Sequence, residues 1–268
     1  MKLSLIGRGL RPWEHLTLAG LRAIKKADVV LGIEPDHGAW QALTQEFAIP
    51  AIKPIDFLYR DGATDEANYR AFERFILDVC DHYDHVAFVV AGHPRLGVSI
   101  ARWLSEKSLP EHIELEVIEG ISSFDTMFND LATDPLEKGT AVLDANRLVL
   151  FRYALEPTLD TFIYHVSAVG NTRTDYVNCS ARNQLEILVE HLRSFYPKHK
   201  KMTLCKAANL TGGVSEYIDV TLETLIDHAL LIDPGTTLFI PGEKPTSINT
   251  QFLTLLRSSH VTAQTYSF

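Results

Sequence analysis

The segment Val86–Gly97, with the sequence VAFVVAGHPRLG, constrains the fold of this chain more than any other part of it. A run of β-favouring residues that stops at Gly92 and Pro94 is typical of a fully buried strand followed by a tight loop. In open parallel sheets, ligands bind at the carboxyl ends of the strands. An ordinary strand-to-helix turn would give the same pattern, so the other strand ends decide whether this one belongs to a site.

The amino terminus shows the same order of features. Residues 3–6 form a short apolar strand that runs into Gly7 and Gly9, and an amphipathic segment opens at Leu16. Because glycine has no Cβ, backbone N–H groups at these positions can approach a ligand closely. No third glycine follows, and the nearest acidic residue after the next strand is Glu34, so the pattern is weak evidence for a dinucleotide site.

A third junction follows the predicted strand at residues 115–118. There the chain continues through Gly120 to Ser122 and Ser123, which stand where a helix begins. Serine at a helix start is usually an N-cap, and we expect that role for one of the two. The three glycine junctions are predicted to line up along one edge of a single sheet and to form a site.

Strands and helices alternate along the first half of the chain, which predicts a parallel sheet with right-handed crossovers. Strands are predicted at 2–6, 28–32, 51–55, 86–91 and 115–118, and helices near 16–26, 37–47, 65–82 and 97–108. In the second half we predict strands at 140–144, 147–151, 161–167, 201–206 and 237–241, and one helix at 184–196. With 268 residues and 46% hydrophobic content, the chain can divide its core between two domains. We predict an α/β fold with domains at 1–119 and 120–245 and a helix or tail at 246–268.

Composition excludes several classes of protein. The net charge of −9 makes a basic surface for nucleic acid improbable, and no run approaches the ~20 apolar residues of a membrane-spanning helix. Arg8 and Arg11 interrupt any apolar core of signal-peptide length, and the three cysteines form no CxxC pair. The histidines and cysteines show no spacing typical of a metal site. We therefore expect a soluble, cytoplasmic protein without a metal, with buried free thiols.

These features, in this order, resemble the tetrapyrrole methylase superfamily over nearly the full length. The shared motifs are Gly7-x-Gly9, Leu16-Thr17, Ala27–Val30, Gly92-x-Pro94 and Gly120–Ser123. The Gly-His-Pro sequence is similar to the borosin branch, whose members methylate backbone amide nitrogens of a ribosomally made peptide. The segments 184–197, 207–210 and 236–241 look most like the stand-alone methyltransferases of that branch, in which the substrate peptide is a separate chain.

The resemblance implies a homodimeric enzyme with a mainly parallel N-terminal sheet, a mixed C-terminal sheet and S-adenosylmethionine in the cleft between them. The implied cofactor contacts are Gly7, Gly9, Gly92, His93, Leu96, Ser122, Ser123, His165, Thr236 and Thr237. For His93 the alternative is a capping role in its own loop, and for His165 it is a place in the core. The apolar stretch at Phe124, Met127 and Phe128 is a candidate dimer contact, or else the core face of a helix.

The chain departs from the borosin pattern at two positions. Borosin enzymes have an Arg-x-x-x-Tyr pair after the third strand, and the matching positions here are Asp65 and Tyr69. The tyrosine that precedes Gly-His-Pro in the family is Ala91 here, whereas Tyr59 matches the upstream tyrosine. The implied catalytic residues are therefore Tyr59, Tyr69 and Asp65.

The chemistry explains why these departures matter. A backbone amide is a weak nucleophile, so its methylation needs a base and stabilisation of the developing charge on oxygen. Arginine supplies a permanent charge for that purpose, whereas Asp65 can act as a base. Three functions remain open: methylation of peptide backbone amides, methylation of a small molecule such as a tetrapyrrole, and binding of S-adenosylmethionine without catalysis.

Overall fold

The computed structural model describes residues 1–33, 37–106, 109–173, 175, 178–209 and 212–258. The predicted position of Glu34 and the last ten residues of the predicted tail lie outside them. In the first half the elements are, in chain order, β1 (Lys2–Gly7), α1 (Pro12–His15), α2 (Leu18–Lys26), β2 (Val29–Gly32), α3 (His37–Phe47), β3 (Ile52–Pro54), α4 (Asp65–Cys80), β4 (His85–Val90), α5 (Ser99–Glu106), β5 (Glu114–Ile118) and α6 (Ser123–Asp130).

The first sheet has five strands in the order β3-β2-β4-β1-β5, and every neighbouring pair is parallel. Its central strands are buried on both faces, which explains their continuous apolar sequences. Strands β4, β1 and β5 are neighbours, so the junctions after them meet at one edge of the sheet. The predicted alignment of the three glycine junctions is therefore confirmed.

The second half contains β6 (Thr140–Asp144), α7 (Ala145–Leu150), β7 (Asp160–Tyr164), α8 (Leu185–Leu192), β8 (Lys201–Lys206), β9 (Glu216–Thr221), β10 (Thr236–Ile240) and α9 (Thr250–Ser258). The strands form a second sheet in the order β6-β7-β10-β8-β9. β6 and β7 are parallel and the other pairs antiparallel, so the sheet is mixed. The predicted α/β fold, with a parallel N-terminal and a mixed C-terminal sheet, is confirmed.

The predicted strand at 147–151 is wrong, because these residues lie mostly in α7. The side chain of Asp144 caps this helix by accepting a hydrogen bond from the Arg147 N–H at 2.8 Å. Ala145 and Leu148 then lie on its buried face, three positions apart. A short apolar run does not distinguish a strand from a buried helical turn, and here the N-cap decides.

Other predicted boundaries were too long. The strand predicted at 161–167 ends at Tyr164, because His165 adopts a left-handed conformation with φ +59° and a short 3₁₀ helix follows at Val166–Ala168. The helix predicted at 184–196 ends at Leu192 in the structure. Strand β9 was missed altogether.

The second sheet has a different partner on each face. Its far face packs against α7 and α8 through a core that includes Leu148, Leu188 and Leu238. The face towards the first half packs against α6, where Met127 is fully buried with Phe162. The ring centroids of Phe124 and Phe162 are 5.1 Å apart, so Phe124 and Met127 of the predicted stretch belong to the core face of the helix. Within the described residues, no helix combines the length and apolar character needed to cross a lipid bilayer.

Candidate active site

Two of the three junction glycines, Gly7 and Gly120, allow the backbones of neighbouring segments to approach one another. A Cβ on Gly7 would fall 2.5 Å from the Gly92 carbonyl oxygen and 2.8 Å from the Gly120 nitrogen. A Cβ on Gly120 would in turn lie 2.6 Å from the Gly7 carbonyl oxygen. These glycines were predicted to admit a ligand to the backbone, but at Gly7 and Gly120 the close neighbour is the chain itself.

Gly9 and Gly92 are joined by backbone hydrogen bonds in both directions. The Gly92 N–H donates to the Gly9 oxygen at 2.9 Å, and the Gly9 N–H donates to the Gly92 oxygen at 3.3 Å. Both residues have positive φ angles, +74° and +68°, which explains the need for glycine. Their N–H groups are therefore occupied by each other rather than directed at a ligand.

His93 and Leu96 shape the loop that follows. The Arg95 N–H donates to His93 Nδ1 at 3.1 Å, and the Leu96 N–H donates to the His93 carbonyl oxygen at 3.0 Å. His93 thus has the loop-capping role that we considered as the alternative to a cofactor contact. The loop continues through Gly97 into α5.

The two serines at the start of α6 have different roles. Ser122 forms a capping box with Asp125, in which its hydroxyl accepts from the Asp125 N–H and the Asp125 carboxylate accepts from the Ser122 N–H. The Ser123 hydroxyl instead lies 3.1 Å from the Tyr164 hydroxyl on β7. The expectation that one serine is an N-cap is confirmed, and Ser123 links α6 to the second sheet.

Thr236 and Thr237 point to opposite faces of β10, because side chains alternate along a strand. Leu238 belongs to the core under α8, so Thr236 faces that side, and its hydroxyl lies 3.0 Å from Asp233 Oδ1. Phe239 packs towards α6, and Thr237 shares that face. The two predicted cofactor contacts therefore lie on opposite faces of the strand. The placement of Thr236 argues against its contact with a ligand between the sheets.

A cavity of about 510 Å³ lies between the two halves, at the carboxyl edge of the first sheet. Its lining includes, from the first half, Tyr59, Asp65, Tyr69, Ala91 and Gly97, and from the second half Asp144, Asn146, His165, Asn171 and Arg173. All three predicted catalytic residues line this cavity. Of the predicted cofactor contacts, His165 does so, while Gly92, His93 and Leu96 belong to the loop that forms one wall.

One wall is formed by α4 and the segment before it. The Thr64 side chain caps α4, and Asp65 and Tyr69 follow one turn apart on the face towards the cavity. The buried Asn68 side chain bonds both the N–H and the carbonyl of Arg60, which fixes the neighbouring Tyr59 to the helix. Burial raises the pKa of Tyr69, so its hydroxyl is protonated at neutral pH.

The opposite wall is formed by the end of β7 and the loop after it. His165 Nδ1 lies 2.7 Å from Asp144 Oδ2. This hydrogen bond raises the pKa of His165 above its usual value, against the lowering effect of burial. Asn146 fixes the following loop, since its side chain donates to the Ala168 oxygen at 2.8 Å and accepts from the Gly170 N–H at 2.7 Å.

The two walls are joined directly beside Asp65. The Asp65 N–H donates to the Thr172 oxygen at 2.9 Å, and Thr64 and Arg173 form an isolated antiparallel bridge. Arg173 Nη1 donates to the Gly62 oxygen at 2.9 Å. These bonds place the Arg173 backbone beside the start of α4 and its guanidinium on the Gly62 oxygen, three residues before the position where the borosin pattern has its arginine.

Sequence reasoning missed Arg173, Asp144 and Asn146. They lie beyond the motifs of the first half, in segments that carry no glycine or proline pattern of their own. The sequence contains a local indication of the role of Asp144, because it stands three positions before the residue whose N–H it caps, as a helix N-cap does. Among the residues that the structure describes, no group of three or more His, Cys, Asp or Glu side chains is arranged to hold a metal ion.

The parallel first sheet, the mixed second sheet and the cavity between them define a two-part α/β protein with a cavity at the carboxyl edge of its parallel strands. The family model for tetrapyrrole (corrin/porphyrin) methylases matches residues 2–212. The chain therefore belongs to the tetrapyrrole methylase family.

Two curated relatives carry borosin names. The chain is 27% identical over 198 residues to a methyltransferase/ribosomally synthesized type II borosin cyclic peptide precursor of Phlebiopsis gigantea, a match that covers 74% of this chain and 35% of that protein. It is 26% identical over 260 residues to a type I borosin methyltransferase/precursor of Cerrena unicolor, which covers 96% of this chain and 62% of that protein. The chain thus spans less than two thirds of the length of either relative.

Solved structures show the same fold. The uroporphyrin-III C-methyl transferase of Thermus thermophilus, complexed with S-adenyl homocysteine, superposes with a TM-score of 0.58 at 17% identity. The match covers 90% of this chain and 97% of that one.

Proposed function

We propose that this protein is an S-adenosylmethionine-dependent methyltransferase that methylates backbone amide nitrogens of a separate ribosomal peptide. The observation that carries the proposal is the position of Tyr59, Asp65 and Tyr69 on one wall of the cavity between the sheets. These are the positions at which the borosin resemblance places the acceptor-binding groups. Family membership and the borosin-named relatives support the same chemistry.

The cavity fits the proposed methyl donor in size and charge. A volume of about 510 Å³ is in the range of sites for small ligands. Asp65, Asp144 and Asp175 line it, and their carboxylates suit a cationic ligand. When bound there, S-adenosylmethionine supplies a methyl group activated by a sulfonium charge.

Arg173 is the group that we propose to stabilise the acceptor's oxygen. Methylation of an amide nitrogen leaves negative charge on the carbonyl oxygen during the reaction, and a positioned guanidinium stabilises it. The bond from Nη1 to the Gly62 oxygen orients the Arg173 side chain at the cavity wall. Arg173 thereby takes the part that Asp65 cannot, from a different element of the fold.

The two tyrosines position the acceptor. Tyr69 lies in α4 with its ring 6.1 Å from that of Trp103, and Tyr59 packs against Phe72 at 4.9 Å. These contacts fix the rings, so their hydroxyls are oriented before the acceptor binds. A protonated phenol donates a hydrogen bond to the amide group and holds its nitrogen in line for transfer.

The charges of the cavity disfavour an acidic tetrapyrrole as the acceptor. Among the described lining residues, three aspartates face a single arginine. A ligand with many carboxylates would require a basic cleft. A peptide backbone carries no net charge and suits this lining better.

The proposal is tested by calorimetry and mass spectrometry together. We expect S-adenosylmethionine and S-adenosylhomocysteine to bind, and a ribosomal peptide encoded beside this gene to gain mass in steps of one methyl group. Arg173→Gln should lower turnover by ~10²-fold with cofactor affinity unchanged, while the exposed Arg152→Gln serves as the matched control. Absence of cofactor binding would refute the proposal, and methylation of a tetrapyrrole instead of the peptide would refute the choice of substrate.

A further inference from the structure

A histidine–aspartate pair lies on the cavity wall, and the roles proposed above use only the charge of Asp144 and leave His165 without a function. His165 and Asp144 both line the cavity, on the side opposite α4. Sequence reasoning assigned His165 to the cofactor or to the core, and assigned nothing to Asp144. The pair therefore needs a function that follows from its own geometry.

The geometry orients the imidazole ring. Asp144 Oδ2 accepts from His165 Nδ1 at 2.7 Å, and the other carboxylate oxygen, Oδ1, accepts from the Arg147 N–H at 2.8 Å. The carboxylate is thus fixed by the start of α7 and cannot rotate freely. With Nδ1 donating, the neutral ring holds its lone pair on Nε2.

The backbone at His165 is also unusual. Its φ of +59° is in the left-handed region, which is uncommon for residues other than glycine, and such strain is found preferentially at functional sites. Nε2 lies 3.7 Å from the place that a Cβ on Gly97 would take, and Gly97 itself lines the cavity. Nε2 therefore sits at the wall formed by the loop after Gly92-His93-Pro94.

We propose that His165, oriented by Asp144, accepts the proton that the acceptor nitrogen loses during methyl transfer. This inference rests on the proposed function and assigns its base. Histidine acts as a general base when a carboxylate holds one ring nitrogen and the other lies within reach of the acceptor, and His165 Nε2 lies at the cavity wall beside Gly97.

The step balances as follows. The acceptor nitrogen forms a bond to the methyl carbon, and the carbon–sulfur bond breaks with its electron pair going to sulfur. The N–H proton passes to His165 Nε2, and the resulting imidazolium is stabilised by the Asp144 carboxylate. The proton is then released to water.

Several groups face the pair and shift the pKa values of His165 and Asp144. The Asp144 hydrogen bond raises the pKa of His165 most, and the Gly97 backbone and Asp65 on α4 raise it further against the effect of burial. Burial raises the pKa of Asp144, but the hydrogen bond to His165 and the N–H and charge of Arg147 on α7 lower it overall. The titratable residues that share the cavity are Tyr59, Tyr69, Arg173 and Asp175. Because the base must be neutral to accept a proton, the rate should rise with pH as His165 deprotonates.

The test compares three variants of the full chain. His165→Asn suits the left-handed backbone, since asparagine adopts it more readily than most residues. Asp144→Asn keeps the helix cap but removes the charge. His191→Gln is the control, because His191 lies outside the described cavity lining.

We expect His165→Asn to lower turnover by ~10²-fold with S-adenosylhomocysteine affinity unchanged. The acidic limb of the turnover–pH profile, where turnover falls as His165 becomes protonated, should disappear in this variant. Asp144→Asn should lower turnover by ~10-fold or more and shift the limb to lower pH. NMR titration of the His165 ring should give a lower pKa in Asp144→Asn than in the wild type, independently of activity.

The opposite results would overturn the inference. If His165→Asn weakens S-adenosylhomocysteine binding and the acidic limb persists, His165 is a cofactor contact. If the NMR titration is unchanged in Asp144→Asn, the pair does not act as a unit. If the wild type transfers no methyl group to any acceptor, the proposed function itself is refuted. If the wild type is active and His165→Asn has normal turnover, only the assignment of the base is refuted.

Discussion

The glycine junction makes a quantitative prediction about stability. Gly92→Ala adds a methyl group without a clash, since its nearest neighbour there is Leu10 Cδ2 at an ordinary contact distance of 3.6 Å, but φ is +68°. A left-handed alanine costs about 1–2 kcal/mol, partly offset by the ~0.4–1 kcal/mol gained from a more restricted unfolded chain. The net loss of unfolding free energy should be about 1 kcal/mol.

Gly120→Ala should cost considerably more, although its backbone tolerates alanine. The new Cβ would lie 2.6 Å from the Gly7 carbonyl oxygen and also against the Gly92 carbonyl oxygen. Both neighbours are backbone atoms of adjacent segments, so β1 and the loop after β4 must both move away from Gly120. Overpacking of this kind costs about 3 kcal/mol, at the upper end of its usual range.

Urea unfolding of the two variants, without any ligand, measures this difference directly. We expect Gly120→Ala to lose about 2 kcal/mol more than Gly92→Ala, with m-values unchanged. Equal losses would show that the glycines do not serve the close approach of the three segments. Normal stability with lost S-adenosylhomocysteine binding in Gly120→Ala would restore the interpretation that this glycine admits a ligand.

Three further results are expected. Tyr69→Phe should lower turnover by ~10²-fold while leaving S-adenosylhomocysteine affinity unchanged, and wild-type turnover in steady-state assays would refute its positioning role. Thr236→Val should destabilise the fold by about 1 kcal/mol through loss of its bond to Asp233 while leaving S-adenosylhomocysteine binding unchanged in calorimetry, and weakened binding would contradict its placement on the far face of the sheet. Light scattering should give a dimer of the 30.0 kDa chain, and a monomer at micromolar concentration would reject the homodimer that the family resemblance implies.

The sequence predicted the first half of the fold more accurately than the second. In a parallel sheet the buried strands are continuous apolar runs that end at glycine, and β1 and β4 have this form. In the mixed sheet the signals are weaker: α7 has the composition of a strand, and only the cap by Asp144 distinguishes it. Strand β9 was also missed, because its sequence EYIDVT does not alternate strictly between apolar and polar residues.

The sequence predicted the residues of the candidate site that lie within one motif. It did not predict the residues that reach the site from segments distant in the sequence. Asp65 and Tyr69 are one helical turn apart, so their common face follows from the spacing. Arg173 reaches the same cavity through a bridge to Thr64, over a separation of more than a hundred residues. No local pattern encodes such a contact, because it depends on the packing of the two halves.

The position of the methyl group on the product tests the central claim most directly. The ribosomal peptide encoded beside this gene is incubated with the protein and S-adenosylmethionine, and fragment-ion mass spectrometry locates each added methyl. The account predicts methyl groups on backbone amide nitrogens, and none in a control without protein. Consumption of S-adenosylmethionine with the methyl on a side chain, or with no mass gain in the peptide, would contradict it.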